Sequence, residues 1–152
     1  MLLLKSLKLL QLLLDLLPQA ALTEPDLMIP TRSVRQLLED SAALSGVESF
    51  GLRMAETRRL SNLGMVGMLA RDEPTLRLAL QALIRYGRLH NQSLYTEIEE
   101  AGGIATIREE LLMGGGPVRQ STELVQGVLF RILRIFLGPQ WSPRRVCFMH
   151  PA

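Results

Sequence analysis

Cysteine, lysine, histidine and aromatic residues are all scarce in this sequence, and each shortage narrows what the chain can be. One cysteine, Cys147, cannot close an internal disulfide, so cysteine usage gives no support for an oxidising compartment and the protein is expected to be cytoplasmic. Cys147 sits in the apolar run Val146-Cys147-Phe148-Met149, where a buried, inert thiol is the default expectation. The two histidines, His90 and His150, have no Cys or His at ligand spacing, so no metal site is predicted. Aromatics are 5% of the chain, which leaves Leu, Ile, Val and Met to fill the core. The seven Met read mainly as core filler, although an adaptable interior would also suit a ligand pocket. Only Lys5 and Lys8 are lysines, and the arginines are dispersed. With a net charge of +2, no concentrated basic patch for nucleic acid is expected.

Catalytic signatures are also missing. There is no Gly-x-Ser-x-Gly elbow and no dinucleotide fingerprint. Gly114-Gly115-Gly116-Pro117 is not followed by Gly-Lys-Ser/Thr, so it reads as a loop and not as a phosphate cradle. The adjacent pairs Glu99-Glu100 and Glu109-Glu110 would point to opposite faces of a strand, so they form no acid/base dyad and read as solvated charges. The expectation is a protein that is not an enzyme and takes no cofactor.

What is present is enough for one domain. The chain has 152 residues, of which 47% are hydrophobic and 21% charged, an ordinary globular balance. Residues 1–21 begin with eleven Leu between Met1 and Leu17, and Lys5, Lys8, Gln11 and Asp15 share one stripe of a helical wheel. This is an amphipathic helix with a wide apolar face, too short and too interrupted to span a membrane. A signal peptide is the rival reading, weakened by Asp15 and a poor cleavage site. Residues 22–32, with Pro25 and Pro30, read as a linker. Residues 33–152 form the main domain.

Within that domain Ser33 and Gln36 suggest a capping box for a helix that ends at Gly46, with Val34, Leu37, Leu38 and Ala42 on its inner face. Helices follow over Phe50–Arg58 and Leu63–Ala70. Asp72 and Pro74 are expected to start another that runs to about Arg88. Its inner stripe is Leu76, Leu80, Leu83 and Ile84. Its outer stripe is Arg77, Gln81, Arg85 and Arg88, more readily a solvated face than an anion site. Residues 94–111 alternate around Gly102-Gly103 and favour a hairpin, although Thr106 with Glu109 could also cap a helix. Pro117 opens the clearest helix, Val118–Leu137, with Leu124, Val125, Val128, Leu129, Ile132, Ile135 and Phe136 as its buried stripe and Gly138-Pro139 as its stop. Residues 144–149 read as a last short strand. The fold class is therefore α+β, mainly helical with a small antiparallel sheet. The chain stops just after that strand, so the domain reads as incomplete at its C-terminus.

The order of several landmarks resembles the N-terminal, arabinose-binding-like domain of AraC-type transcription regulators. They are Phe50-Gly51-Leu52-Arg53, Asn62-Leu63-Gly64-Met65-Val66-Gly67, Pro74-Thr75-Leu76, Ala79-Leu80, Arg85-Tyr86, Glu123, then Gly138-Pro139-Gln140-Trp141-Ser142-Pro143, Val146, Phe148 and His150-Pro151. The resemblance runs from about Pro30 to the end, and no single motif in it is specific. It implies a domain that binds a small-molecule effector and forms a homodimer. The helix-turn-helix half that reads DNA in the family is missing from this chain, so the chain itself is not expected to bind DNA. The alternative is a membrane-surface or partner-binding protein that acts through the Leu-rich helix. For a ligand site, Tyr86 and His90 share a helix face and Tyr95 follows after a short turn, with Met65 and Met68 as candidate walls. The plainer alternative is that the three polar residues are satisfied edge residues.

Overall fold

The computed structural model describes residues 23–24, 27–112, 114–115 and 118–150. In them α1 (Thr31–Ser45), α2 (Phe50–Glu56), a 3₁₀ turn (Leu60–Leu63), α3 (Gly64–Arg71) and α4 (Leu76–His90) come first. The strands β1 (Leu94–Ala101) and β2 (Ile104–Leu111) follow, and α5 (Arg119–Leu137) closes the order. The chain is thus α+β and mainly helical. The Leu-rich segment 1–21, and the helix expected there, lie outside the described residues. No described helix is long and apolar enough to cross a membrane.

Local chemistry sets the element ends, though not always with the expected residues. α1 begins after Pro30 without a side-chain cap. Ser33 already lies within the first turn, its N–H bonded to the Pro30 carbonyl at 2.9 Å, so the expected Ser33–Gln36 box does not form. Gly46, at φ 70°, closes α1 in the left-handed region that favours glycine. α4 is capped by Thr75 and not by Asp72: the Thr75 hydroxyl accepts from the Leu78 N–H at 3.3 Å. Pro74 disfavours helical backbone at Glu73, so the helix starts beyond the proline. The hairpin reading holds. Gly102 and Gly103 turn with φ 58° and 75°, as a two-residue hairpin loop requires, and set the register Leu94↔Leu111 through Ala101↔Ile104.

The sheet has these two strands only among the described residues. The strand expected at 144–149 is not formed. That segment is held by side chains instead of a ladder: the Phe148 and His150 rings lie 5.0 Å apart, and His150 reaches α5 at Glu123. Cys147 is exposed, contrary to the buried thiol expected.

The core is built from small residues that let helices come close. Ala42, Ala55, Ala70, Ala79 and Ala82 are buried beside Leu38, Leu60, Val66, Leu80, Ile132 and Leu133. α2 crosses α5 nearly backbone to backbone. A Cβ on Gly51 would stand 2.0 Å from the Gln120 carbonyl oxygen, and one on Gly127 would stand 2.5 Å from the Ala55 Cβ. Gln120 ties the crossing: its Oε1 accepts from the Gly51 N–H at 2.8 Å and its Nε2 donates to the Glu48 carbonyl at 2.9 Å. Glu39 of α1 caps α5, accepting from the Gln120 N–H at 2.8 Å. The buried face of α5 consequently includes Gln120, Ser121 and Glu123 next to Ile132 and Leu133, whereas Ile135, expected inside, is exposed.

Candidate functional site

A cleft opens where α4 meets β1. Leu83, Ile84 and Leu94 supply apolar lining, Gly87 leaves room on the helix, and Arg88, Tyr95 and Thr96 supply polar groups. Its volume is about 80 Å³, well under the several hundred Å³ typical of sites for drug-sized ligands. The expected outer stripe of α4 is realised, with Arg77, Gln81, Arg85 and Arg88 all exposed. Arg77 is committed to Glu100 of β1, with Nη2 to Oε2 at 2.8 Å, and this contact raises the Arg77 pKa. Arg88 stands at the rim of the cleft.

Of the five residues expected to form a ligand site, Tyr95 alone lines this cleft. Tyr86, half-buried, adjoins the lining residue Gly87 in α4 without lining the cleft, and the Arg85 guanidinium is 5.9 Å from its ring. His90 is exposed at the end of α4. Met65 and Met68 are 77% and 56% exposed on α3, facing away from the protein interior. Leu83, Arg88 and Thr96 line the cleft although no motif in the sequence marks them as ligand contacts. Arg88 belongs to the stripe expected to be solvated, and the alternation over residues 94–111, which sets Leu94 and Thr96 on the less exposed face, is the available signal.

Two carboxyl groups behave differently from surface charges. Glu109 of β2 belongs to the less exposed face of the hairpin with Ile107 and Leu111, and it pairs directly with Thr96. Its Oε2 is buried without a hydrogen-bond partner, and burial pushes its pKa up to about 8. The solvated role expected for it is therefore incorrect: a period of two places residue 109 with its apolar neighbours. Glu123, 3% exposed on α5, is held by Arg119 Nε at 2.9 Å and lies 3.9 Å from His150 Nε2.

The residues that carry the family resemblance have structural work in this arrangement. Gly51 makes the α2–α5 crossing possible. Asn62 Oδ1 accepts from the Arg59 N–H at 2.6 Å, and Gly67 packs against the Leu60 carbonyl. Trp141 sits 6.2 Å from Phe130, and Glu123 meets His150. No group of three or more His, Cys, Asp or Glu able to hold a metal occurs among the described residues.

Fold and site together define a small helical domain with one hairpin and a cleft between them. Residues 15–152 match the family model described as the arabinose-binding domain of AraC transcription regulator, N-terminal. The HTH-type transcriptional regulator VirS of Mycobacterium tuberculosis, in strains CDC 1551 / Oshkosh and ATCC 25618 / H37Rv, is 33% identical over 118 residues. That alignment covers 76% of this chain and 35% of the relative, so the chain spans about a third of the length of the curated relatives it matches. The chain belongs to the family of N-terminal arabinose-binding domains of AraC transcription regulators.

Proposed function

We propose that this chain is the effector-sensing and dimerisation module of a cytoplasmic transcription regulator, that it does not itself read DNA, and that it carries out no catalysis. The observation that carries the reading is the α4–β1 cleft, with its apolar lining and three polar groups, in a domain of this family. A small ligand bound there contacts a helix and a hairpin at once, so it can shift the balance between two arrangements of these elements. Dimerisation is supported by apolar side chains left in water. Met65, Met68 and Leu69 are exposed on α3 at helical spacing, and Leu89 is exposed on α4.

A thermal-shift screen of small metabolites on the purified chain tests the reading, with arabinose included because the family model names it. The expected hit stabilises the chain and loses its effect when Thr96→Val and Tyr95→Ala alter the cleft. A ligand that stabilises these variants equally would place the site elsewhere. Light scattering is expected to report a dimer, and gel-shift titration is expected to give no sequence-selective complex with duplex DNA.

A further inference from the structure

Arg88 is the one charged residue that lines the α4–β1 cleft. α4 holds three arginines, and the other two are occupied. Arg77 is paired with Glu100, and the Arg85 guanidinium lies over the Tyr86 ring. Arg88 comes within ion-pair distance of no carboxylate among the described residues. It shares the carbonyl end of α4 with His90, but that role requires no place in a cleft. The other polar residues of the lining, Tyr95 and Thr96, carry hydroxyls, and no lining side chain is a carboxylate or an amide. A guanidinium only donates hydrogen bonds, so these side chains offer donors in excess of acceptors. Such a set favours a ligand rich in acceptors, and the planar fork of arginine matches a carboxylate bidentately. A sugar brings a donor with every hydroxyl and suits the set less.

Gly87 lines the same cleft without a packing reason to be glycine. Glycine inside a helix is destabilising. Elsewhere in the helices close approach accounts for it: a Cβ would stand 2.0 Å from the Gln120 carbonyl oxygen at Gly51, 2.1 Å from the Leu60 carbonyl oxygen at Gly67 and 2.5 Å from the Ala55 Cβ at Gly127. A Cβ on Gly87 meets nothing within 4 Å. The absent side chain leaves space on α4 beside Arg88, one helical turn from Leu83 and next to the apolar lining.

We propose that the effector is a small organic carboxylate, gripped by the Arg88 guanidinium with the Thr96 hydroxyl as a further donor, while its carbon body lies over Gly87 against Leu83, Ile84 and Leu94. This rests on the reading of the cleft as an effector site and adds the ligand's chemical class. The nearby hairpin carboxylates do not oppose it strongly. Glu97 and Glu100 are paired with Arg108 and Arg77, and Glu110, across the ladder from Tyr95, is exposed and screened by solvent. Arg88 is exposed as well, so the affinity should fall as salt is raised.

The test uses sodium butyrate as probe on the full chain at constant ionic strength, with sodium chloride, butanol, butylammonium chloride, sodium phosphate and arabinose as controls, read by thermal shift and by NMR. Wild type is expected to gain roughly 3 °C over the salt control at about ten times the Kd. The Arg88 side-chain N–H resonance should move together with the amides of residues 83–88 and 94–96. Arg88→Gln, at an exposed position, should fold as wild type does and lose the gain. Arg88→Lys, which keeps the charge without the fork, should keep only part of it. Gly87→Ala should stabilise the free chain yet weaken butyrate binding, which a merely structural glycine would not do. No gain with butyrate would overturn the proposal, as would an equal gain with butanol, butylammonium, phosphate or arabinose, or an equal gain in Arg88→Gln. A ligand whose effect disappears with Thr96→Val but persists in Arg88→Gln would refute the carboxylate and leave the cleft as the effector site. A ligand indifferent to both variants would refute the cleft itself.

Discussion

Adding one methyl group at Gly51 should separate the two helices that hold the domain together. The Cβ of Gly51→Ala would meet the Gln120 carbonyl oxygen at 2.0 Å, where ordinary contact begins at 3.4 Å. The obstacle is backbone, so no side-chain rotation relieves it, and α2 must move off α5. Overpacking of this kind costs about 1–3 kcal/mol. The shift also stretches the 2.8 Å bond from the Gly51 N–H to Gln120 Oε1, worth about 1 kcal/mol more. Alanine returns up to about 1 kcal/mol through its better helix propensity. The net loss is about 1–3 kcal/mol, or roughly 3–10 °C in Tm for a domain of this size. Gly87→Ala is the control. It lies within α4, and a Cβ there meets nothing within 4 Å. It should stabilise by about 0.4–1 kcal/mol. Urea and thermal unfolding followed by circular dichroism would measure both. If Gly51→Ala is as stable as wild type, the close crossing of α2 and α5 is wrong.

Three further outcomes follow from the polar groups. With its pKa raised from 4.5 to about 8, Glu109 remains protonated in the fold while the unfolded chain ionises, so its contribution turns unfavourable as pH rises from 4.5 to 8. Glu109→Gln should remove this loss, on the order of a few kcal/mol at most, and a difference between variant and wild type that is the same at pH 5 and pH 8 would contradict it. Glu123→Ala should cost about 2 kcal/mol, less than a fully buried pair because Arg119 is partly exposed. It should also speed native-state trypsin cleavage at Arg144 and Arg145 by freeing the His150 contact, and an unchanged rate would show that Glu123 does not hold the tail. Gly103→Ala should destabilise the hairpin by about 1–2 kcal/mol, since φ 75° disfavours a side chain. An unaltered urea midpoint would argue against this turn.

Periodicity made most of the fold legible. The Leu76–Leu80–Leu83–Ile84 stripe placed α4 correctly because its opposite face is polar at every turn, and Gly102-Gly103 fixed the hairpin because two successive positive-φ positions suit glycine. Where the sequence misled, longer-range packing decided. Ile135 looks like a core residue, yet it is exposed, while Gln120, Ser121 and Glu123 near the crossing with α2 are buried together with Ile132. Nothing local in residues 144–149 reveals that side chains will hold them in place of a ladder. The ligand site was only partly legible. Tyr95 is reachable from its place after the turn, but hydrophobicity does not tell which way Met65 and Met68 face, and α3 turns them outward. Glu109 was readable in principle, because its spacing from Ile107 and Leu111 puts it on their face; its charge suggested solvent and obscured the pattern.

An NMR titration of the isotope-labelled chain with a small-metabolite library that includes arabinose tests the central claim most directly. The account predicts a ligand whose shift perturbations centre on residues 83–88 and 94–96, with no comparable response to duplex DNA. Perturbations confined to other elements, or a sequence-selective response to DNA with no ligand response at the cleft, would contradict it.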